Sequence, residues 1–507
     1  MNQVLIIGAG FAGLGTAIRL RQAGIEDIVI LERGADVGGT WRDNTYPGAA
    51  CDVPSLLYSF SFAPNPDWTR AYSGSAEILA YTHHLVDRFG LRPLIRFGTD
   101  VTAVDWDDEA GLWTVTAADG SEHRARSVVM AAGPLANASF PDIPGIDDFT
   151  GHKILSSRWD HDCDLTGKRV AVIGTGASAV QIVPELVKRA ASVKVFQRTP
   201  GWVMPKPDPP HPAWLRGLFR QVPAVQRAGR EALYWTHELM ALGLVWNTAA
   251  TTALQAVGQA HLRLAVRDPW LRRRLTPEHR IGCKRVLMTN DYLPALQRDN
   301  CTLVTWPIYA ISANGVRTAE GIEHEVDAIV FATGFDVSRT GTPFPVTGRD
   351  GRTLDKDWVG GARAYKSVTV AGYPNLFLTF GPNSGPGHNS ALVYNEAQID
   401  HIVRAVRLIR DRGLRSLEVR EDVQERHNAD LQRRLGATTW NSGCRSWYLT
   451  EDGYNATMYP GFATRFAREL AVLAEDDYDL DTALGADITR VGGRSPMAPT
   501  GTTPPPG

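Results

Sequence analysis

The chain has 507 residues and a net charge of −2, from 53 cations against 55 anions, with 43% hydrophobic residues. That length suits about three domains, and the near-neutral charge implies no nucleic-acid partner. Its five cysteines (Cys51, Cys163, Cys283, Cys301, Cys444) show no Cys-x-x-Cys pair, disulfide framework or zinc spacing, which fits a reducing cytoplasm and no bound metal.

From the N-terminus, the apolar run 4–7 opens into Gly8-Ala-Gly10-Phe11-Ala12-Gly13. Strand, glycine-rich turn and helix in that order form a dinucleotide-binding fingerprint. The first glycine makes the tight turn, the second admits the pyrophosphate to the helix N-terminus, and the third lets helix and strand pack closely. Glu32 stands twenty-four residues after Gly8, at the end of the β-rich run 28–31. A carboxylate there accepts hydrogen bonds from both ribose hydroxyls, which suits FAD or NAD. A core strand at the very start is not expected to be a cleaved signal peptide. Strand-rich sequence follows around 95–116, and Pro141-Asp-Ile-Pro144-Gly145 reads as a linker. Residues 1–147 are expected to be the first part of an FAD-binding domain.

The next unit repeats the first in register. Residues 170–173 open into Gly174-Thr175-Gly176-Ala177-Ser178-Ala179, with alanine tolerated at the third position. Arg198 lies twenty-four residues after Gly174, at the end of the run 193–196. A cation leaves a plain ribose unread but pairs with a 2′-phosphate, so this copy suits NADP. Two fingerprints with opposite readers point to FAD in one half and NADPH in the other. Residues 148–204 are the expected first part of the NADPH-binding domain.

Proline then punctuates the chain at 200, 205, 207, 209, 210 and 212, and 205–276 reads as a helical insertion. Its Trp214, Phe219, Tyr234, Trp235 and Trp246 are expected to be mostly core, and the segment to wall a substrate pocket. The uncharged run 239–260 carries Asn247, Thr248, Thr251, Thr252, Gln255 and Gln259, a poor membrane span. A buried helix is expected there, with a lipid-facing helix as the alternative.

Strand-like runs return at 302–305 and 328–333, the second ending in Ala332-Thr333-Gly334-Phe335. Such a small-residue turn places backbone N–H groups beside a cofactor. Residues 277–335 are the expected second part of the NADPH domain. The second FAD part is 336–487, with a long helix near 394–411. The Gly-, Pro- and Thr-rich tail, 488–507, is expected to be disordered. The fold class is therefore α/β: two Rossmann-like dinucleotide-binding domains, for FAD and NADPH, with a helical insertion.

Several blocks resemble the flavin-dependent Baeyer–Villiger monooxygenases, two-dinucleotide-binding, class B flavoproteins. They are Gly38-Gly-Thr40-Trp41, Tyr46-Pro-Gly48 with Cys51-Asp52-Val53, both fingerprints, and Gln197-Arg198-Thr199-Pro200. Gly282-Cys-Lys284-Arg285, Ala332-Thr-Gly-Phe335 and Ser446-Trp447-Tyr448 complete the set, and the resemblance runs from Val4 to about residue 470. The family string Phe-x-Gly-x-x-x-His-x-x-x-Trp reads here from Phe149 through Gly151 to Trp159, with Leu155 where the family has histidine. Leucine neither donates a hydrogen bond nor changes charge. In the family that histidine lies in the interdomain linker, so Leu155 bears on coupling more than on the existence of chemistry.

The resemblance implies an NADPH- and O2-dependent FAD monooxygenase that turns a hydrophobic ketone into an ester or lactone through a C4a-peroxyflavin. It makes Arg285 the permanent cation beside that anion, because arginine stays protonated where a buried lysine loses its proton. Asp52 would orient Arg285, although a separation of 233 positions leaves their contact open. Lys284 would join Arg198 and Thr199 on the 2′-phosphate, and Trp447 would pack near the nicotinamide ribose. Thr40, Trp41, Tyr58 and Val101 would contact FAD. The plainer alternatives are a structural ion pair, a solvated Lys-Arg pair and a core tryptophan. For the whole chain the alternatives are N- or S-oxygenation on the same scaffold, or an uncoupled NADPH oxidase. A disulfide reductase would need a cysteine partner for Cys51, and none is near in sequence. Oligomeric state is not legible.

Overall fold

The computed structural model describes residues 2–133, 140–334, 343–443, 446 and 448–482. Phe335, Cys444, Trp447 and the tail 488–507 lie outside the described residues. Strand β1 (Asn2–Ile7) buries four consecutive apolar side chains and leads through the first glycine turn into α1 (Phe11–Gln22). Strand β2 (Ile28–Leu31) then pairs parallel to β1, Val4 opposite Ile28 and Ile7 opposite Leu31. Parallel pairing needs a crossover helix and covers both faces of the strand, hence the continuous apolar runs. After α2 (Thr40–Asp43) and α3 (Ser75–Arg88), β3 (Ile95–Arg96) extends this edge. Strands β4 (Val101–Asp107), β5 (Leu112–Ala117) and β6 (Glu122–Met130) form an antiparallel meander, and β6 returns parallel to β1 on its other side. Two distant strands join the same sheet: Val346–Thr347 beside β4 and Leu376–Leu378 beside β6.

The second sheet is smaller and wholly parallel. Strands β7 (His152–Leu155), β8 (Arg169–Ile173) and β9 (Ser192–Phe196) combine with Cys301–Val304 and Ala328–Phe331. Helix α4 (Ala179–Leu186) connects β8 to β9. Each fingerprint strand is flanked on both sides, β1 by β2 and β6, β8 by β9 and Ala328–Phe331. The crevice outside the carboxyl end of such a strand is where open α/β sheets bind ligands. The expected α/β class with paired Rossmann-like units holds.

The insertion is helical, as expected: α5 (Ala213–Gln221), α6 (Pro223–Leu244), α7 (Ala249–Ala265) and α8 (Pro269–Leu275). Proline at the first helical position starts α6 and α8, where its missing N–H costs nothing. Two expectations fail here. The run 239–260 is not one buried helix. Thr248 and Thr251 form a reciprocal cap that ends the first helix and starts the next. The outer faces of both halves are open to solvent. Nor are the insertion's aromatics mostly core: of the five, only Phe219 is buried, while Trp214 and Trp235 are exposed. Among the described residues, no helix is long and apolar enough to cross a membrane.

Candidate active site

Both glycine turns open into one cavity of about 1670 Å³, well above the usual range for a single small ligand. Gly8 has φ +109°, and a Cβ there would lie 2.5 Å from Ala131 O. Gly174 repeats this with φ +113° and Ala332 O at 2.3 Å. Both positions demand glycine twice over, for a left-handed backbone and for a close approach. The middle glycines differ: beside Gly10 a Cβ would meet only Gly39 Cα at 3.8 Å, and beside Gly176 nothing within 4 Å. That open space in front of a helix N-terminus is a cradle for a phosphate. Gly13 and Ala179 stand back from the cavity and hold helix to strand, a Cβ on Gly13 falling 1.9 Å from Gly8 O.

Glu32 is buried at the end of β2. One oxygen accepts from Ala9 N–H at 2.8 Å, the other from Gly34 N–H and Arg42 Nη1, both at 2.7 Å. Arg42 was not apparent from spacing, because only its contact with Glu32 distinguishes it. Trp41 donates from Nε1 to Tyr58 OH at 3.0 Å, and Tyr58 packs edge-on against Phe11. Ala12, Thr40 and Val101 line the same cavity.

Across the cavity stand Thr175, Ala177, Ser178, Arg198, Thr199 and Lys284. Lys284 donates to Thr199 Oγ1 at 3.3 Å. Its ammonium is held below the ordinary lysine value, first by burial and then by the charge of Arg198. Two cations pressed together in this way form a ready site for an anion. Neighbouring His279 falls to about 4 for related reasons, burial first and Lys284 second.

Arg285 and Asp52 meet, despite their distance in sequence. The contact is bidentate, Nε to Oδ2 at 2.8 Å and Nη2 to Oδ1 at 2.6 Å. Burial alone would raise the Asp52 pKa; Arg285 outweighs it and leaves the carboxyl below its ordinary value. Asp52 in turn raises Arg285. The Arg285 side chain remains 45% exposed and lines the cavity. Cys51 beside it is buried and pushed up to about 12, so it stays a thiol. Among the described residues, Cys51, Cys163 and Cys301 are free thiols.

Sequence reasoning also missed Gln181 on α4. Its Oε1 accepts from Tyr46 OH at 2.9 Å, and its Nε2 donates to Ala50 O at 2.9 Å. The nucleotide unit of β8 thus grips the loop that carries Asp52. A single polar residue on a helix gives no motif to read. The string around Leu155 is a packing unit. Phe149 and Leu155 lie in one apolar cluster with Phe331, and a Cβ on Gly151 would strike Asp327 O at 2.5 Å. Trp159 is buried in the neighbouring cluster. Of the nearby histidines, His161 lies 2.7 Å from Thr45 Oγ1, and His152 is exposed. The insertion does not wall the cavity, since no residue of 205–276 lines it.

Two glycine cradles with opposite readers, opening on one cavity, define a two-dinucleotide oxidoreductase. Residues 5–222 match the pyridine nucleotide-disulphide oxidoreductase family. A Baeyer–Villiger monooxygenase of Pseudomonas aeruginosa is 46% identical over 469 residues, 92% of this chain and 88% of that one. Another, of Streptomyces coelicolor, is 43% identical over 501 residues, 98% of this chain and 96% of the relative. The crystal structure of OTEMO in complex with FAD and NADP superposes with a TM-score of 0.84 at 28% identity, covering 94% of this chain and 99% of that one. With identity at this level over nearly its full length, the chain belongs to the Baeyer–Villiger monooxygenase family.

Proposed function

We propose that the chain holds FAD in the β1 crevice and NADPH in the β8 crevice, and uses O2 to convert an apolar ketone into an ester or lactone. The observation that carries this reading is the Asp52–Arg285 pair on the wall of the cavity that both glycine cradles share. Glu32, Trp41 and Tyr58 are assigned to FAD. Arg198, Thr199 and Lys284 are assigned to the 2′-phosphate of NADPH. The parts 1–147 and 336–487 form the FAD domain, supported by the strands Val346–Thr347 and Leu376–Leu378 in the first sheet. The parts 148–204 and 277–335 form the NADPH domain, supported by Cys301–Val304 and Ala328–Phe331 in the second.

When bound, NADPH supplies hydride to FAD, and reduced FAD supplies the electrons that activate O2. The protein's own part is electrostatic. Arg285 presents a permanent cation to an anion developing on the cavity side, and Asp52 fixes the plane of the guanidinium through two parallel hydrogen bonds. Since Asp52 stays ionised, it does not take a proton from the reacting atoms. Gln181 holds the Asp52 loop against α4, which ties the cation to the NADPH side. Cys51 remains protonated, which argues against a thiol relay.

The test is product analysis of the FAD-loaded enzyme with NADPH, O2 and a panel of linear and cyclic ketones, with thioanisole alongside. One ester or lactone per NADPH from at least one ketone is expected. Sulfoxide from thioanisole with no ester from any ketone would make this a heteroatom oxygenase. Hydrogen peroxide equal to the NADPH consumed under every condition would make it an oxidase.

A further inference from the structure

The insertion is built inside out. On α6, Gln226, Arg230, Tyr234 and Glu238 recur every fourth residue and therefore share one face. That polar face points inward. Gln226 donates to Asn65 O at 2.6 Å, and Arg230 donates to Leu56 O and Ser59 O at 2.7 and 2.8 Å. Tyr234 OH lies 2.8 Å from Thr464 Oγ1, and Glu238 is 3% exposed. The opposite face carries Ala228, Ala232, Trp235, Leu239 and Leu242, and all five are exposed. Helix α7, packed against α6, continues the pattern with Ala253, Val257, Ala260 and Leu264. Trp214 is 70% exposed, Trp235 55%, Leu239 67% and Leu264 86%. Among the described residues, ten of the sixteen exposed large apolar side chains fall within 213–275. A surface helix normally turns its apolar stripe inward, so this face is made for an apolar partner.

Charge selects the partner. Residues 213–280 hold ten arginines and only Glu231, Glu238, Asp268 and Glu278 as acids, a net of +6. A chain total of −2 leaves −8 for the remainder. Arg227, Arg263, Arg267, Arg273 and Arg280, all in the same segment, are exposed. Two copies meeting through this face would bring like charges together. Exposed tryptophan and leucine in an arginine-rich, acid-poor segment match the interface of an anionic bilayer, where apolar groups enter the headgroup boundary and cations meet lipid phosphates. With no helix among the described residues able to cross a membrane, such contact is peripheral.

We propose that the outer face of α6 and α7 docks the enzyme on an anionic lipid surface. The full-length, FAD-loaded protein is sedimented with sucrose-loaded vesicles of phosphatidylcholine containing phosphatidylglycerol, and with vesicles of phosphatidylcholine alone. Binding to the anionic vesicles, and release by about 1 M NaCl, where the Debye length is about 3 Å, are expected. The double variant Trp235→Gln, Leu239→Gln should weaken partitioning about tenfold or more. The charge variant Arg263→Glu, Arg267→Glu, Arg273→Glu should abolish it. All five positions are exposed, so the variants are expected to fold, which thermal unfolding checks. The proposal is overturned by absence of sedimentation, by equal binding to neutral vesicles, or by indifference to both variants. It is equally overturned if light scattering shows a dimer that the Trp235, Leu239 variant separates, because a second copy then covers the face.

Discussion

Arg285 illustrates what one side chain contributes and what it needs. Its charge is permanent, but its direction is set by Asp52, which grips the guanidinium through two hydrogen bonds. Arg285→Ala should therefore lower ester formation about 100-fold or more, the scale seen when one donor to a developing anion is lost. Consumption of NADPH should continue, with the oxygen recovered as hydrogen peroxide. Arg285→Lys keeps charge without the two-pronged contact and should fall between wild type and alanine. Chromatography of the product together with a peroxide assay distinguishes the three. At the same scale, both nucleotide readers were legible because a strand and a fixed count of residues mark them. Arg42 and Gln181 were not, because each is recognisable only by the atom it touches.

Helix α6 draws several of its docking contacts through one buried carboxylate, Glu238. Burial would raise the pKa of Glu238, but hydrogen bonds from His388, Thr464 and Asn389 prevail and hold it at about 2. Glu238 accepts from Asn389 Nδ2, Ala463 N–H, Thr464 N–H and Thr464 Oγ1, and His388 Nε2 lies 3.0 Å away. A folded pKa below the unfolded one means that this stabilisation is present above the unfolded value, about 4.3. It is lost as pH falls from there toward about 2. Glu238→Gln puts an NH2 among groups that already donate, a loss of about 2 kcal/mol or more in the docking of α6. Limited proteolysis within 213–280 should accelerate roughly 30-fold at neutral pH. It should accelerate in wild type as well when the pH drops below about 4. Unchanged cleavage in the variant would mean that α6 is held by other contacts. The helical character of this segment was legible in the sequence, whereas the start of α6 at Pro223 and of α8 at Pro269 came from the structure. The direction each helix faces was not legible either, because α6 reverses the rule that apolar stripes turn inward.

At the scale of the whole molecule, the two nucleotide units open on one cavity. Ligand bound only to the folded state stabilises it by about 2.7 kcal/mol at 100 times its Kd. NADP+ should therefore raise the unfolding temperature of the FAD-loaded enzyme, and NAD+ at equal concentration should not. Arg198→Ala with Lys284→Ala should abolish the difference. Because Lys284 sits below the ordinary lysine value, its charge is lost earlier as pH rises. The advantage of NADP+ over NAD+ should accordingly shrink toward alkaline pH, as calorimetric titration would show.

The sequence by itself determined the two Rossmann-like units, their glycine turns, the opposite signs of Glu32 and Arg198, and the presence of an insertion. The nucleotide units are local, a strand, a turn and a helix within about 30 residues, each enforced by backbone geometry and close packing, and the insertion shows as a change of composition along the chain. Only the tertiary structure decided that Asp52 meets Arg285 across 233 positions, that Gln181 clasps the loop leading into Asp52, and that the insertion stands off the cavity with its apolar face outward. Those outcomes depend on which distant surfaces come together, and residue spacing along a chain carries no record of that.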